Sequence, residues 1–450
     1  MQVIKRNGNV VPYDFNRILN AIKAARDNAA PSISDEKIKY VAIAVENAIS
    51  RNEKISVEEI QDMVELKLME FGFNEVARHY VQYRHKHSIR RDAGTHLMET
   101  YKEIFFADSK DTDHKRENAN INTDAPMGQM LKLGTEGAKH FIDNYVLPKE
   151  FVDADREGFI HIHDKDFSLI TFNCCQIDLL KLFQGGFNTG HGFLREPNSI
   201  RSYASLACIA IQSNQNDMLG GQSINAFDYA MAEGVRKSFR KAIIHETEKA
   251  ISYLEKHISI DELKMEIEKN PCGYNNPATV DTLNSVLQDT YLASKIYSQA
   301  CKEVEEETHQ AMEAAIHNFN SLHSRAGSQT PFSSINYGLD TSPEGRLVIR
   351  EVLNAIDAGL GNGETPIFPI SVFQLKSGIN YNPTDPNYDL FRQACKVSAK
   401  RLYPNFVNID APYNLQYYKD SDYNSAVATM GKHFATALPF ELRPQVSFLG

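Results

Sequence analysis

A chain of 450 residues, 42% hydrophobic and 24% charged, is long enough for two or three domains and has an ordinary globular balance. Its formal net charge of -10, with no Lys/Arg-rich block, argues against nucleic acid as a partner. No run of about 18 apolar residues marks a membrane span, so no membrane partner is expected.

The first stretch reads as a small hairpin followed by helices. Val3-Ile4-Lys5-Arg6 and Asn9-Val10-Val11 flank Asn7-Gly8, a dipeptide that tolerates positive φ at both positions. Asp14 is a candidate cap for a helix with Phe15, Ile18, Leu19, Ile22 and Ala25 at 3–4 spacing. Ser34 opens a second helix, with Ile38, Val41, Val45 and Ile49 on one face. Ser56 opens a third, with Glu59 at the capping-box position. A fourth runs through residues 76–84. Ile18, Ile60 and Tyr80 read as core.

Residues 94–130 are polar and read as a connector. Beyond them, residues 134–146 are helix-like and residues 158–164 alternate as a strand would, placing His161 and His163 on one face. Residues 227–256, 280–320 and 389–402 are helix-patterned, as is the stretch carrying Val348, Leu353, Ile356 and Leu360. Residues 367–373 form an apolar strand. Strands alternating with helices argue for an α/β domain.

Six cysteines, at 174, 175, 208, 272, 301 and 395, include no Cys-x-x-Cys pair. This does not support a zinc ribbon or thioredoxin-like motif, and it fits reduced thiols. No metal ligand set is expected. With no apolar signal core near Met1, the expected location is cytoplasmic.

Two resemblances sharpen this reading. In order, Lys5-Arg6-Asn7-Gly8, Phe15-Asn16-Arg17-Ile18, residues 55–61 and residues 77–84 resemble an ATP-cone domain, the ATP/dATP-sensing module of many ribonucleotide reductases. The resemblance covers residues 3–88. It implies that Lys5, Arg6 and Gly8 meet the phosphates of ATP or dATP as allosteric effectors, with Lys86 a further partner.

The rest resembles the anaerobic (class III) ribonucleoside-triphosphate reductases, of the glycyl radical enzyme family. The matching segments are Glu117-Asn118-Ala119-Asn120, residues 158–164, Phe172-Asn173-Cys174, Asp178-Leu179, Gly220-Gly221, Gln329-Thr330-Pro331-Phe332, residues 385–389, residues 400–404 and residues 428–431. The implied fold class is α/β: a small, mostly helical ATP-cone domain (1–93), a connector (94–130), and the first part of a glycyl-radical-enzyme α/β barrel (131–431). The implied reaction replaces the ribose 2′-hydroxyl by radical chemistry. A thiol serves because its S–H bond is weak and sulfur tolerates an unpaired electron. Cys174 matches the family's hydrogen donor, Asn173 is a candidate substrate contact, and Gln329 and Thr330 are candidates for substrate phosphate. Cys175, next along a strand, points the other way. The implied partners are ribonucleoside triphosphates, a radical S-adenosylmethionine activating enzyme and a second copy in a homodimer.

The likeness stops after Gly431. The family has there the cysteine that carries the thiyl radical, and further on a Cys-x-x-Cys zinc site and an Arg-Val-x-Gly-Tyr glycyl-radical segment. Here Lys432 follows, and residues 432–450 match nothing in the family. The expectation is a truncated or frame-shifted reading frame whose isolated chain does not reduce ribonucleotides. The alternative is an ATP/dATP-binding regulatory protein or one part of a split enzyme.

Overall fold

The computed structural model describes residues 1–5, 9–106, 126–170, 174–215, 218, 220–254, 259–270, 272–324, 329–429 and 434–435. The chain divides into two compact units, Met1–Ala107 with Lys139–Phe159 and Asp108–Ala138 with Ile160–Gly450.

In the first unit, β1 (Gln2–Ile4) pairs antiparallel with β2 (Val10–Pro12), Ile4 opposite Val10. The short β3 (Lys54–Ser56) adds to the other side of β1 in parallel. Helices span Phe15–Ala29, Asp35–Ile49, Val57–Glu70 and Asn74–Phe106. The first and third begin at a side-chain cap. Asp14 accepts from the Asn16 N–H at 3.0 Å. Ser56 and Glu59 form the reciprocal capping box, satisfying two N–H groups that the helix itself leaves unpaired. Ile18, Ile60 and Tyr80 are buried with Ile22, Ile38, Val41, Val45 and Leu68 in one core. Arg26, at the edge of that core, donates to the Ile33 carbonyl and pairs with Asp27 and Asp35, fixing the turn between the first two helices. The fourth helix extends well past residue 84 and continues through residue 93.

The second unit is organised by a parallel sheet. Its strands are β4 (Cys175–Ile177), β7 (Gln222–Ile224), β8 (Ser333–Tyr337), β9 (Ile370–Leu375) and β10 (Asn405–Asn408), in the order β10-β9-β8-β7-β4. A small hairpin of β5 (Phe187–Asn188) and β6 (Phe193–Leu194) lies between β4 and β7 in sequence. Beyond β10, β11 (Ala428–Thr429) pairs antiparallel with β12 (Phe434–Ala435).

Parallel neighbours require crossovers, and helices supply them. Ile200–Asn214 precedes β7, while Phe227–Leu254, Ile260–Lys269, Ala278–Leu287 and Thr290–Ser321 lie between β7 and β8. Pro343–Ala358 and Tyr388–Arg401 make the next two crossings. Each strand is added on the same side of its predecessor, so crossovers of one hand place the helices on one face of the sheet. The large core forms there, with Ile224, Ile335, Tyr337 and Phe373 from the strands and Phe239, Val304, Phe319 and Val352 from the helices. The opposite face is left free of crossovers, and that asymmetry positions the site.

Two expectations are corrected. Residues 158–164 are turns and bends rather than a strand. Gly158 (φ 79°) and Asp164 (φ 48°) both take left-handed backbone, which interrupts extension. Residues 280–320 hold parts of two helices. Gln288 (φ 49°) ends the first, and Asp289 caps the second by accepting from the Leu292 N–H. The apolar strand read at 367–373 is β9, starting three residues later.

Candidate active site

Two tripeptides, Ser223-Ile224-Asn225 and Ser334-Ile335-Asn336, build the centre of the free face. They lie in register across β7 and β8, Ser223 opposite Ser334 and Ile224 opposite Ile335. Alternation along a strand then sorts them: both isoleucines enter the helix-side core, and serines and asparagines face the other way. Asn336 is fully buried and Asn225 nearly so. A buried amide without partners costs about 1–3 kcal/mol, so their bonds decide the local structure. Asn225 donates to Gln176 Oε1 at 2.9 Å, and Asn336 donates to Ser223 Oγ at 2.8 Å.

Cys174 and Cys175 stand at the start of β4, beside β7. Cys175 lies on the helix side, buried, with Asn214 Nδ2 donating to its sulfur at 3.1 Å. Burial pushes its thiol up to about 12. Alternation puts Cys174 on the polar face with Gln176 and Asp178. Cys174 is half-buried. Burial pushes its thiol above the usual range, a hydrogen bond from the Gly221 backbone opposes this, and Asp164 nearby reinforces it. The net effect keeps Cys174 as S–H at neutral pH, the form that has a hydrogen atom to give. Among the described residues Cys174 is the one cysteine on this face; Cys208 and Cys301 belong to helices packed on the other.

The segment 423–429 lies on the polar face. Asp178 accepts from Tyr423 Oη at 3.0 Å and Asn424 Nδ2 at 3.2 Å. Gln374 donates to the Val427 carbonyl at 3.0 Å. Asn336 bonds both backbone groups of Thr429.

The C-terminal ends of β7 and β8 are tied by an acid. Asp228 is fully buried, and its Oδ2 accepts the N–H groups of Gly338, Leu339 and Asp340 at 2.8–3.0 Å. Burial and the nearby Asp340 carboxylate raise Asp228 to about 6, against the lowering effect of the N–H groups. Asn380 and Asn387 hold the same turn by its Gly338 and Asp340 carbonyls. Gly338 sits at φ 121°, where a Cβ would come 3.1 Å from the Gln374 carbonyl.

Of the residues singled out from sequence, Cys174 lies on the polar face. Gln329 and Thr330 are buried just before β8. The register Cys175–Gln222–Ser333 places them beyond the N-terminal edge of the sheet, two strands from Cys174. Lys5 lies at the end of β1, its N–H donating to the Asn9 carbonyl. Asn173, Arg6 and Gly8 lie outside the described residues, as does the side chain of Lys86. His161 and His163 meet edge to face at 5.7 Å, and His163 approaches Asp164 at 3.4 Å. The His/Cys/Asp/Glu group found among the described residues that could hold a metal ion is His245, Glu246 and Glu303. It contains no cysteine, so it does not fit the cysteine zinc site implied by resemblance, and no step is derived through zinc.

Sequence reasoning did not find Gln176, Ser223, Asn225, Ser334, Asn336 or Gln374. The repeated Ser-Ile-Asn was the available signal.

The sequence that builds this site matches a known family. A family model described as "Anaerobic ribonucleoside-triphosphate reductase" matches residues 117–435. The chain belongs to the anaerobic ribonucleoside-triphosphate reductase family. An ATP cone domain model matches residues 1–89. The chain is 31% identical over 414 residues to the anaerobic ribonucleoside-triphosphate reductase of Haemophilus influenzae, covering 91% of this chain and 52% of that one. It is 30% identical over 411 residues to that of Escherichia coli, covering 91% and 51%. The chain thus spans about half the length of the curated relatives it matches. Among solved structures, the anaerobic ribonucleotide reductase of Thermotoga maritima in complex with dATP and CTP aligns with a TM-score of 0.43 at 11% identity, over 71% of this chain and 50% of that one. No helix among the described residues is long and apolar enough to cross a membrane.

Proposed function

We propose that this chain carries the nucleotide-sensing unit and the hydrogen-donating part of the active site of an anaerobic ribonucleoside-triphosphate reductase. The whole enzyme would convert ribonucleoside triphosphates to 2′-deoxyribonucleoside triphosphates for DNA synthesis in the cytoplasm. The observation that carries this is the half-buried Cys174 thiol on a polar sheet face whose helix-side neighbours are sealed in a core.

In this reading Cys174 returns a hydrogen atom to the ribose. Its raised pKa holds that hydrogen on sulfur, and Gln176, the next residue along on the same face, brings an amide N–H toward the sugar hydroxyls. Asn173 adds a further contact, and Gln329 and Thr330 serve the triphosphate. Residues 1–93 bind ATP or dATP through Lys5, Arg6 and Gly8, with Lys86 assisting. The resemblance adds a radical S-adenosylmethionine activating enzyme and a homodimeric assembly as partners. The family's radical-carrying cysteine would follow Gly431, where this sequence has Lys432, and the glycyl-radical segment does not occur in the 450 residues. The residues present do not fit those groups, so no step is assigned to them.

Isothermal titration of the chain with CTP and with dATP tests this. The expected result is saturable binding of both, with Lys5→Ala/Arg6→Ala weakening dATP at least tenfold and leaving CTP within twofold. Absence of CTP binding would contradict the substrate-site reading; a dATP affinity untouched by the double substitution would contradict the sensor.

A further inference from the structure

The stretch 423–429 enters the polar face and is buried at Ser425, Ala426, Val427, Ala428 and Thr429, with Ala426 packed among Leu339, Val372, Val407 and Ile409. Ala428 and Thr429 pair with the two-residue β12, and a buried backbone with so short a ladder needs its remaining N–H and C=O groups met elsewhere. The sheet meets them with side chains. Asn336 Oδ1 accepts the Thr429 N–H at 3.0 Å, and its Nδ2 donates to the Thr429 carbonyl at 3.1 Å. One planar amide thus engages both polar groups of a single residue, much as a neighbouring strand would. Ser223 Oγ and Ser334 Oγ approach the same carbonyl at 3.4 Å from β7 and β8. Gln374 on β9 donates to the Val427 carbonyl, and Asp178, just past β4, receives Tyr423 and Asn424.

The geometry points to Asn336 as a positioning residue that, with Gln374 on the main chain and Asp178 on the Tyr423 and Asn424 side chains, clamps residues 423–429 in one register across the polar face of the sheet. The three anchors come from different strands, β8, β9 and the end of β4, so the segment is held at separated points along its length. Asn336 and Gln374 read main-chain groups, which every residue except proline offers alike, so register is set without regard to the side chains at 427 and 429. The orientation of the Asn336 amide is fixed by its own bonds: Nδ2 meets two acceptors, Ser223 Oγ and the Thr429 carbonyl, while Oδ1 meets an N–H. Asn336 is fully buried, so water cannot take over either bond. The purpose of the clamp, holding the chain that follows Thr429 at a set distance from Cys174, rests on the reductase reading. The clamp itself does not, and it is measurable without turnover.

Hydrogen–deuterium exchange of the full chain, resolved to single amides by mass spectrometry, tests it. Asn336→Leu removes both bonds to Thr429 while keeping the number and branching of side-chain heavy atoms. The expected result is exchange at the Thr429 amide at least tenfold faster, with the amides of Ile224, Tyr337 and Val372 within twofold of the unsubstituted chain. Asn336→Asp keeps an acceptor for the Thr429 N–H but loses the donor to its carbonyl, so it should accelerate exchange by less than Asn336→Leu. It also provides the answer if the leucine variant does not fold. Gln374→Met frees the Val427 carbonyl alone and should raise exchange across 427–429 at least threefold. Unchanged Thr429 exchange in the Asn336 variants overturns the clamp. So does acceleration spread evenly over the sheet, which would mark Asn336 as general packing.

Discussion

Ile224, Ile335, Tyr337 and Phe373 on the helix side of the sheet are at most 1% exposed, and so are Ser223, Ser334 and Asn336 on the other side. Equal burial is achieved by opposite means. The helix side is held by apolar contact, which is non-directional and accepts substitutes of similar volume. On the free side, apolar contact holds Ala426 among Val372, Val407 and Ile409, while around Thr429 the hold is by hydrogen bonds, each of which requires one donor at one place. A face of the first kind gives stability. A face of the second kind gives a fixed position to whatever crosses it, here the segment 423–429, and leaves polar groups on the same side of the sheet as Cys174.

The difference should be largest in global stability. Phe373→Ala removes a fully buried ring that packs edge to face on Tyr337 and near Phe391 and Phe406. It should cost about 3–5 kcal/mol in urea unfolding. A loss smaller than that of polar-face substitutions would reverse the comparison.

Asp228 sharpens it with pH. Its folded pKa of about 6 lies above the ordinary aspartate value of 3.8. A raised carboxyl favours the protonated folded state, so its contribution is full below about pH 4 and is lost as pH rises through about 6. The unfolding free energy of the unsubstituted chain, less that of Asp228→Asn, should therefore fall by about 2 kcal/mol between pH 4 and pH 7. A flat difference would show that the three N–H donors fully offset burial.

Asn336→Leu should cost about 1–3 kcal/mol, chiefly from the unpartnered Thr429 N–H, since serine hydroxyls remain near the carbonyl. The smallest effect belongs to the other unit: Ser56→Ala removes a capping box far in sequence from either sheet face and should cost about 1 kcal/mol. Both are read from chemical denaturation, and the Ser56 variant should leave amide exchange at 427–429 unchanged.

Helices were legible in the sequence because their signals are local. Asp14, Ser56 and the 3–4 spacing of Ile18 and Ile22 lie within a turn or two of what they specify. The opposite orientation of Cys174 and Cys175 followed from strand alternation alone. The strands β3, β7, β8 and β10 were not legible. They are three to five residues long and, in a parallel sheet, are defined by partners dozens of residues away. Ser-Ile-Asn reads as surface text until its twin is known to lie beside it. The alternation at 158–164 misled for the converse reason: a strand-like pattern without a neighbour is not a strand. The clamp on Thr429 depends on residues 93 apart in the chain, which no local rule connects.

The most direct test of the account is the accessibility of Cys174. Alkylation at pH 9, followed by mass spectrometry, reads each of the six cysteines separately, with and without saturating CTP. The account predicts that Cys174 reacts while Cys175 and Cys208 stay inert, and that CTP slows Cys174 at least fivefold without changing Cys395, which is exposed. Cys174 alkylation indifferent to CTP, or a Cys175 that reacts as fast, would contradict a substrate site on the polar face.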